Sequence, residues 1–350
     1  MTQQLPQGLA PEISGERGQP AFGDVALRWG SRHARILAPL TTFVCMFIFF
    51  SFATDVFLTT RNLQNIVTQI GPVAVAATGV TFVLLCAEID LSIGSVATLS
   101  GVIAAALWVG ERWPHLSSWG MLAAIVAAIF LGLVNGFLVA YIGIPSFMMT
   151  LAMLTIAHGL SVYVSEGKPI GKVPPVLSHL GGAGDKILGI PVVGIVALAV
   201  LGVGEVVLSY TRFGRYVYMT GGNREAAEMS GVNTRRVIMT ALTICAFTAC
   251  LSGMLFVGRL HSANPSAGGD LLLQTVAAVV LGGTSLFGGE GGIKNTIIGL
   301  CIFGILNNGL NLLPNISFYF KEALQGIILL AALLLNVLAL RLEKVQTRTE

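Results

Sequence analysis

Two acidic residues, Glu88 and Asp90, end a long apolar stretch within the segment CAEIDLSIGS at Cys86–Ser95. An ionisable side chain at membrane depth costs about 2.5–3.5 kcal/mol on insertion scales, so it normally lines water or has a partner. Two such carboxylates could couple protons to a solute. Asp90 and Ser92 could instead cap the helix that follows, and we favour the cap for Asp90. Glu88, Asp90 and Ser92 are therefore candidate residues of a path through a membrane.

Four further polar side chains lie inside apolar stretches: Asn135, Thr150, Asn307 and Asn311. Asn307 and Asn311 are one helical turn apart and therefore share a helix face. Asn135 lies within GLVNG, a small-xxx-small pattern that lets helices pack closely. A single such residue is more typical of a hydrogen bond between helices, whereas several together predict a hydrophilic path. All four are added to the candidate path.

The elements that must position these residues are membrane-spanning helices. The chain has 350 residues, of which 54% are hydrophobic and 11% are charged, and its mean hydropathy is +0.81. Ordinary soluble domains are about 25% charged. Repeated apolar stretches approach the roughly 20 residues that a helix needs to span hydrocarbon. The composition therefore predicts an all-α polytopic membrane protein embedded in a lipid bilayer.

About ten spans are predicted from the apolar stretches, with boundaries uncertain by about 2–4 residues. They fall at about 36–54, 66–87, 93–110, 119–142, 145–165, 188–210, 237–258, 270–288, 293–313 and 320–340. An even number of spans puts both termini on one side. The larger share of the 20 Lys and Arg residues then falls on that side, which favours an N-in/C-in topology.

The chain divides into three parts by composition. Residues 1–33 are rich in Gln, Pro, Gly and charge, which predicts a disordered cytoplasmic tail. Residues 34–341 form the predicted membrane domain, and 342–350 form a second cytoplasmic tail. Two segments on the outer side, Glu166–Ile187 and His261–Gly269, are long enough either to meet an outside partner or simply to connect spans.

The longest polar stretch in the middle of the chain is Thr211–Arg236, which the topology puts in the cytoplasm. The run Thr220–Asn223 should break the chain, and helix-forming residues follow over Arg224–Ser230. Asn223 can cap this short helix, and Gly231 suits a left-handed position after it. Such a basic helix could lie on anionic lipid or dock a separate protein, and the composition leaves both alternatives open.

A glycine-rich stretch, GGTSLFGGEGG at Gly282–Gly292, has six glycines and should break the eighth span. The nearest approach to a phosphate-binding loop, Gly167–Val173, is one residue short and has Val173 where magnesium needs Ser or Thr. No HExxH, GxSxG or paired metal ligands occur in the sequence. We therefore expect a protein that is not an enzyme and that has no metal or cofactor. If ATP drives it, another chain must hydrolyse that ATP.

Five ordered motifs resemble those of the ribose/xylose/arabinose-type ABC permease family. They are Ile89–Ser95 with Leu99–Gly101, similar to IDLSVGS…LSG; Gly132–Phe137, GLVNGF; Pro145–Met153, PSFMMTLAM; Phe213–Val232, with FGR, GGN, AA and SGV; and Leu281–Gly289, LGGTSLFGG. The resemblance covers about 60–335. Glu88 departs from the family pattern, which usually has Gly or another uncharged residue there.

The resemblance implies the fold of an ABC type II-like importer permease with a permease domain at 34–341. It also implies three kinds of protein partner: an ATP-binding subunit that binds ATP and magnesium, a periplasmic sugar-binding protein, and a second permease subunit, expected to make a homodimer. It implies that the loop 211–236 couples to the ATPase through Gly222–Gly231. The coupling residues are Gly222, Asn223, Arg224, Glu225, Ala226, Ala227 and Gly231.

The expected function is that of a multi-pass permease subunit in the bacterial inner membrane. It would move a monosaccharide or a similar small polyol inward by alternating access. No nucleic acid is expected as a partner. The rival hypothesis is a proton-coupled secondary transporter of a small polar solute, in which Glu88 and Asp90 would carry the protons.

Overall fold

The computed structural model describes residues 34–110, 118–314, 317, 320–321, 323–331 and 334. The two predicted tails, 1–33 and 342–350, lie outside the described residues, as does part of the predicted tenth span at 320–340. Residues 323–331 of that span are helical.

Helices make up most of the described chain. They are α1 (Ala34–Ala53), α2 (Thr60–Leu85), α3 (Ile93–Val109), α4 (Gly120–Phe137) continued by a π-helical turn (Leu138–Ile142), α5 (Ser146–Ser165), α6 (Pro175–Gly181), α7 (Val192–Tyr210), α8 (Arg212–Gly222), α9 (Arg224–Met229), α10 (Thr234–Leu260), α11 (Gly268–Leu281) and α12 (Ile293–Leu312). Between α6 and α7 a short antiparallel hairpin pairs β1 (Lys186–Ile187) with β2 (Ile190–Pro191).

Six helices within the described part of the chain are long and apolar enough to cross a membrane: α2, α4 with its π-helical turn, α5, α7, α10 and α12. Pro39–Ala53 of α1, α3 and α11 are apolar but shorter. The chain is therefore a helical polytopic membrane protein, as its composition predicts. Each of the first nine predicted spans overlaps a helix, while the count of ten and the N-in/C-in orientation stay predictions.

The centre of the bundle is α10, which packs most extensively against α2, α3 and α4. Small residues make this packing close. A Cβ atom at Gly136 in α4 would lie 2.7 Å from the Cα of Met239, so the GLVNG pattern marks a tight helix contact, as expected. In α10 the Ser252 hydroxyl donates a 2.6 Å hydrogen bond to the carbonyl of Pro72 in α2.

Two local predictions need correction. The eighth span was predicted to reach residue 288, but α11 ends at Leu281. The break predicted over Gly282–Gly292 is confirmed, because that stretch adopts left-handed and turn conformations. The chain was also predicted to break over Thr220–Asn223. Helix α8 instead continues through Gly222, because Val217 and Thr220 are buried within the bundle and hold that helix in place. The break comes only at Asn223.

Candidate functional site

Three chain segments meet at one end of the bundle. They are the end of α8, the connection 86–92 between α2 and α3, and the connection 282–292 between α11 and α12. The amide of Gly289 donates a 3.0 Å hydrogen bond to the carbonyl of Leu85. A Cβ atom at Gly221 would lie 1.8 Å from that same oxygen, so only glycine permits the approach. The Tyr218 hydroxyl donates a 2.8 Å bond to the Gly291 carbonyl. We call these three segments the junction.

Helix α9 projects from this junction and has the caps that the sequence predicts. The Asn223 side-chain oxygen accepts a 3.0 Å hydrogen bond from the amide of Ala226. Gly231 has a φ of +82°, the left-handed conformation expected after a helix. The helix ends at Met229, one residue before the predicted end. Within α9, the Ala227 side chain is buried, whereas the Met229 side chain is 90% exposed. The result is a short helix that is fixed on one face and open on the other.

An ion pair joins α9 to the junction. Arg224 Nη1 lies 3.6 Å from Oε1 of Glu88, whose side chain is only 13% exposed. Arg224 Nε also lies 3.9 Å from Oε1 of Glu228, one turn along α9. Burial raises the pKa of the Glu88 carboxyl, while a hydrogen bond with Ser146 and the charge of Arg224 oppose that rise. Glu88 is therefore connected to the short helix rather than to the more distant polar residues.

Asp90 is buried immediately before α3. Its Oδ1 accepts a 2.8 Å hydrogen bond from the Ser92 amide and a 2.6 Å bond from the Ser92 hydroxyl. This amide belongs to Ser92, which precedes α3, so the cap that we favoured for Asp90 is wrong. Ser92 occupies the cap position of α3 but makes no capping hydrogen bond itself, because its hydroxyl is directed to Asp90. The prediction that Ser92 caps the helix is therefore wrong.

Residues in the first turns of α5 and at the end of α4 also form hydrogen bonds with the connection 86–92. The amide of Leu91 donates to the Thr150 hydroxyl at 3.1 Å, and the amide of Ile89 donates to the Ser146 hydroxyl at 3.1 Å. The Asn135 amide donates to the Ser92 hydroxyl at 3.2 Å. Asp90, Ser92, Asn135 and Thr150 thus form one buried polar cluster, and the partly exposed Glu88 adjoins it. All five are candidates from the sequence.

The other two candidates, Asn307 and Asn311, are far from this cluster. At 1.5 Å per residue, Asn307 lies about 21 Å along α12 from Ile293 at the junction. The Asn311 amide donates a 3.2 Å hydrogen bond to the Asn307 side-chain oxygen, and the Lys321 ammonium donates to the Asn311 carbonyl at 3.1 Å. The structure therefore separates the seven candidates into a group at the junction and a group at the opposite end.

Sequence reasoning missed two features of these groups. It did not connect Arg224 with Glu88, although opposite charges in two segments that flank apolar spans were visible in the sequence. It also missed the partners of Asn307 and Asn311, because Lys321 lies in a different span. Within the described ranges, no cluster of three His, Cys, Asp or Glu residues could hold a metal ion.

Comparison with known proteins gives a consistent result over most of the chain. Residues 62–333 match the family described as the branched-chain amino acid transport system / permease component. The ribose import permease protein of Escherichia coli (strain K12) is 39% identical over 286 residues, which cover 80% of this chain and 87% of that relative.

Two further relatives extend the comparison. The ribose import permease protein of Bacillus subtilis (strain 168) is 37% identical over 300 residues, covering 86% and 92% of the two chains. The xylose transport system permease protein of Escherichia coli (strain K12) is 29% identical over 362 residues, covering 86% and 91%. The comparison with solved structures gives no match.

Proposed function

This chain belongs to the family of permease components of ATP-binding-cassette transporters, and we propose from this premise that it imports a monosaccharide or a similar small polyol. The observation that carries the proposal is the 39% identity to a ribose import permease over 80% of the chain. The chain is a transport subunit and not an enzyme, since ATP hydrolysis belongs to separate subunits. The chain crosses the bacterial inner membrane ten times, in the N-in/C-in orientation.

The ATP-binding subunit docks on α9 and the residues that cap it. The coupling residues are Gly222, Asn223, Arg224, Glu225, Ala226, Ala227 and Gly231. Three features support this role. The helix is capped at both ends, its Ala227 side chain is buried against the rest of the protein, and its Met229 side chain is exposed. Within α9, Glu225 and Glu228 outnumber Arg224, so the helix itself offers anionic lipid no excess of positive charge. This charge distribution favours a protein partner over a lipid surface.

The complete importer contains partners besides the ATPase. A periplasmic sugar-binding protein delivers the solute to the outer end, and a second copy of the permease completes the membrane unit as a homodimer. ATP and magnesium are bound by the ATP-binding subunit. The import named in the relatives' descriptions supports the inward direction.

Translocation uses the two polar groups differently. Asn307 and Asn311 contact the solute on its way through the outer half of the bundle. Glu88, Asp90, Ser92, Asn135 and Thr150 hold the connection 88–92, which moves with α9 when the ATPases close. Their mutual hydrogen bonds and the Arg224–Glu88 ion pair support this division. Alternating access is then a movement of the junction relative to the outer half.

Uptake by reconstituted protein tests the proposal. The permease is placed in proteoliposomes with and without its ATP-binding subunit, and entry of labelled D-ribose, D-allose and D-xylose is measured with the binding protein present. We expect ATP-dependent entry of at least one sugar that needs the ATP-binding subunit and is unaffected by a protonophore. Entry without that subunit, lost on addition of the protonophore, would instead support a proton-coupled secondary transporter.

A further inference from the structure

A polar cavity of about 450 Å³ lies at the end of the bundle opposite the junction. Three chain segments line it, and each contributes two polar side chains four residues apart. The pairs are Asp270 and Gln274 on α11, Asn307 and Asn311 on α12, and Lys321 and Gln325 in the chain beyond α12. Residues four apart on a helix lie on one face, so three segments turn a polar face toward the same space.

The chemistry of these side chains suits an uncharged ligand that is rich in hydroxyl groups. Five amide or carboxylate-bearing side chains can each accept from a hydroxyl, and the four amide residues can also donate to one. The single carboxylate of Asp270 and the single ammonium of Lys321 balance in formal charge, so the cavity has no excess charge that would select an ion. Phe303 and Leu310 add an apolar floor. The volume is within the range of about 300–1,000 Å³ that is typical of small-molecule sites.

Half of the six polar side chains here are not used by the fold, while Asn307, Asn311 and Lys321 make hydrogen bonds within the protein. Among the described residues, the side chains of Asp270, Gln274 and Gln325 have no hydrogen-bond or ion-pair partner. Another outer cavity, of about 520 Å³, differs in this respect. There the Gln64 amide donates to the Gly189 carbonyl at 2.8 Å, and its side-chain oxygen accepts from the Lys186 ammonium at 2.6 Å. Polar groups without protein partners are available to a ligand, whereas those of Gln64 already hold the fold together.

We infer that the cavity between α11, α12 and the chain beyond α12 binds the transported monosaccharide or polyol through its hydroxyl groups as it enters the permease. This inference rests on the proposed function and deepens it by assigning a site to the solute. It adds Asp270, Gln274, Lys321 and Gln325 to Asn307 and Asn311, which the sequence alone marked as path residues.

The test compares the same substitution in the two outer cavities. Asn307→Leu and, separately, Gln274→Leu remove hydrogen-bonding groups from the proposed site at similar volume. Asn65→Leu is the matched control, because Asn65 is exposed and lines the other cavity. The complete transporter is reconstituted, and uptake of subsaturating D-ribose, D-allose and D-xylose is measured beside ATP hydrolysis. Loss of one or two hydrogen bonds to the solute should lower uptake about tenfold while ATP hydrolysis is retained.

The outcomes separate this inference from the proposed function. Reduced uptake in both cavity variants, with the Asn65→Leu control unchanged, supports the site. If the wild type imports a sugar and the Asn307→Leu and Gln274→Leu variants import it equally well, the cavity is not the site although the function stands. If Asn307→Leu does not assemble, Gln274→Leu alone decides. If the wild type imports none of the three sugars, both the site and the proposed substrate class are overturned.

Discussion

The two ends of the bundle are built in different ways. At the junction, backbones touch through glycine, and almost every polar group of the 88–92 connection is held by a neighbour, from Arg224 to Asn135. At the opposite end, three polar side chains of the cavity around Asn307 have no partner among the residues that the structure describes. Segments that are tightly bonded to one another move together. A passing solute instead requires hydrogen-bonding groups that the protein has not already used. The difference supports our proposal that coupling and solute contact are separated along α12.

The largest effect is expected from Gly221→Val, which attacks the tightest contact of the junction. A Cβ atom there would lie 1.8 Å from the Leu85 carbonyl oxygen and 2.8 Å from the Gly289 amide nitrogen, so two backbones must separate. Overpacking of this kind destabilises by about 1–3 kcal/mol or more. We expect loss of uptake and a lower thermal unfolding midpoint in detergent.

Gly222→Ala is the control for this substitution, because a Cβ atom at Gly222 meets nothing within 4 Å. It should unfold at the wild-type temperature. Equal thermal stability of Gly221→Val and the wild type would show that the junction is not tightly packed.

The next effect concerns the ion pair between α9 and the junction. Arg224→Glu places a carboxylate against Glu88 and Glu228, so α9 should be displaced, with loss of uptake and of ATPase association but not of membrane insertion. Co-purification of the ATP-binding subunit measures the association. The exchanged pair, Arg224→Glu with Glu88→Arg, should recover part of both. If the single variant transports normally, or if the exchange recovers nothing, the ion pair has no part in coupling.

A smaller effect is expected where only the shape of the loop after α9 changes. Gly231 has a φ of +82°, and a leucine there would be disfavoured by about 1–2 kcal/mol. Gly231→Leu should weaken co-purification of the ATP-binding subunit and reduce uptake. Gly231→Asn tolerates the left-handed conformation and should retain more of both. If the two variants reduce uptake and co-purification equally, the left-handed backbone conformation at Gly231 is not what the ATP-binding subunit requires.

The smallest effect is expected from acidification. Because burial raises the Glu88 pKa, the folded protein binds this proton more readily than the unfolded chain does. Through Glu88 alone, fold stability should therefore rise as pH falls, while protonation removes the attraction to Arg224 and should slow uptake. Glu88→Gln should make uptake less dependent on pH at the acidic end than it is in the wild type. A Glu88→Gln profile identical to the wild-type profile would exclude this carboxylate as the titrating group.

Much of this arrangement is readable from the sequence because it depends on local properties. Apolar stretch length located nine helices, six of them long enough to cross a membrane, and capping rules located Asn223 and Gly231 at the two ends of α9. The course of α8 was not readable, since its continuation through Gly222 depends on the burial of Val217 and Thr220 against parts of the bundle that are far away in the chain. Grouping the path residues also required tertiary structure. Nothing near Asn307 in the sequence indicates that Asp270 and Lys321 line the same cavity.

Crosslinking in native membranes tests most directly whether α9 contacts the ATP-binding subunit. A photoreactive residue replaces Met229, whose side chain is 90% exposed on α9. The control replaces Leu188, which is 98% exposed in the turn between β1 and β2. We predict that the residue at position 229 forms a crosslink with the ATP-binding subunit and that the residue at position 188 does not. Crosslinks from position 229 to lipid alone, or an ATPase crosslink from position 188, would contradict the account.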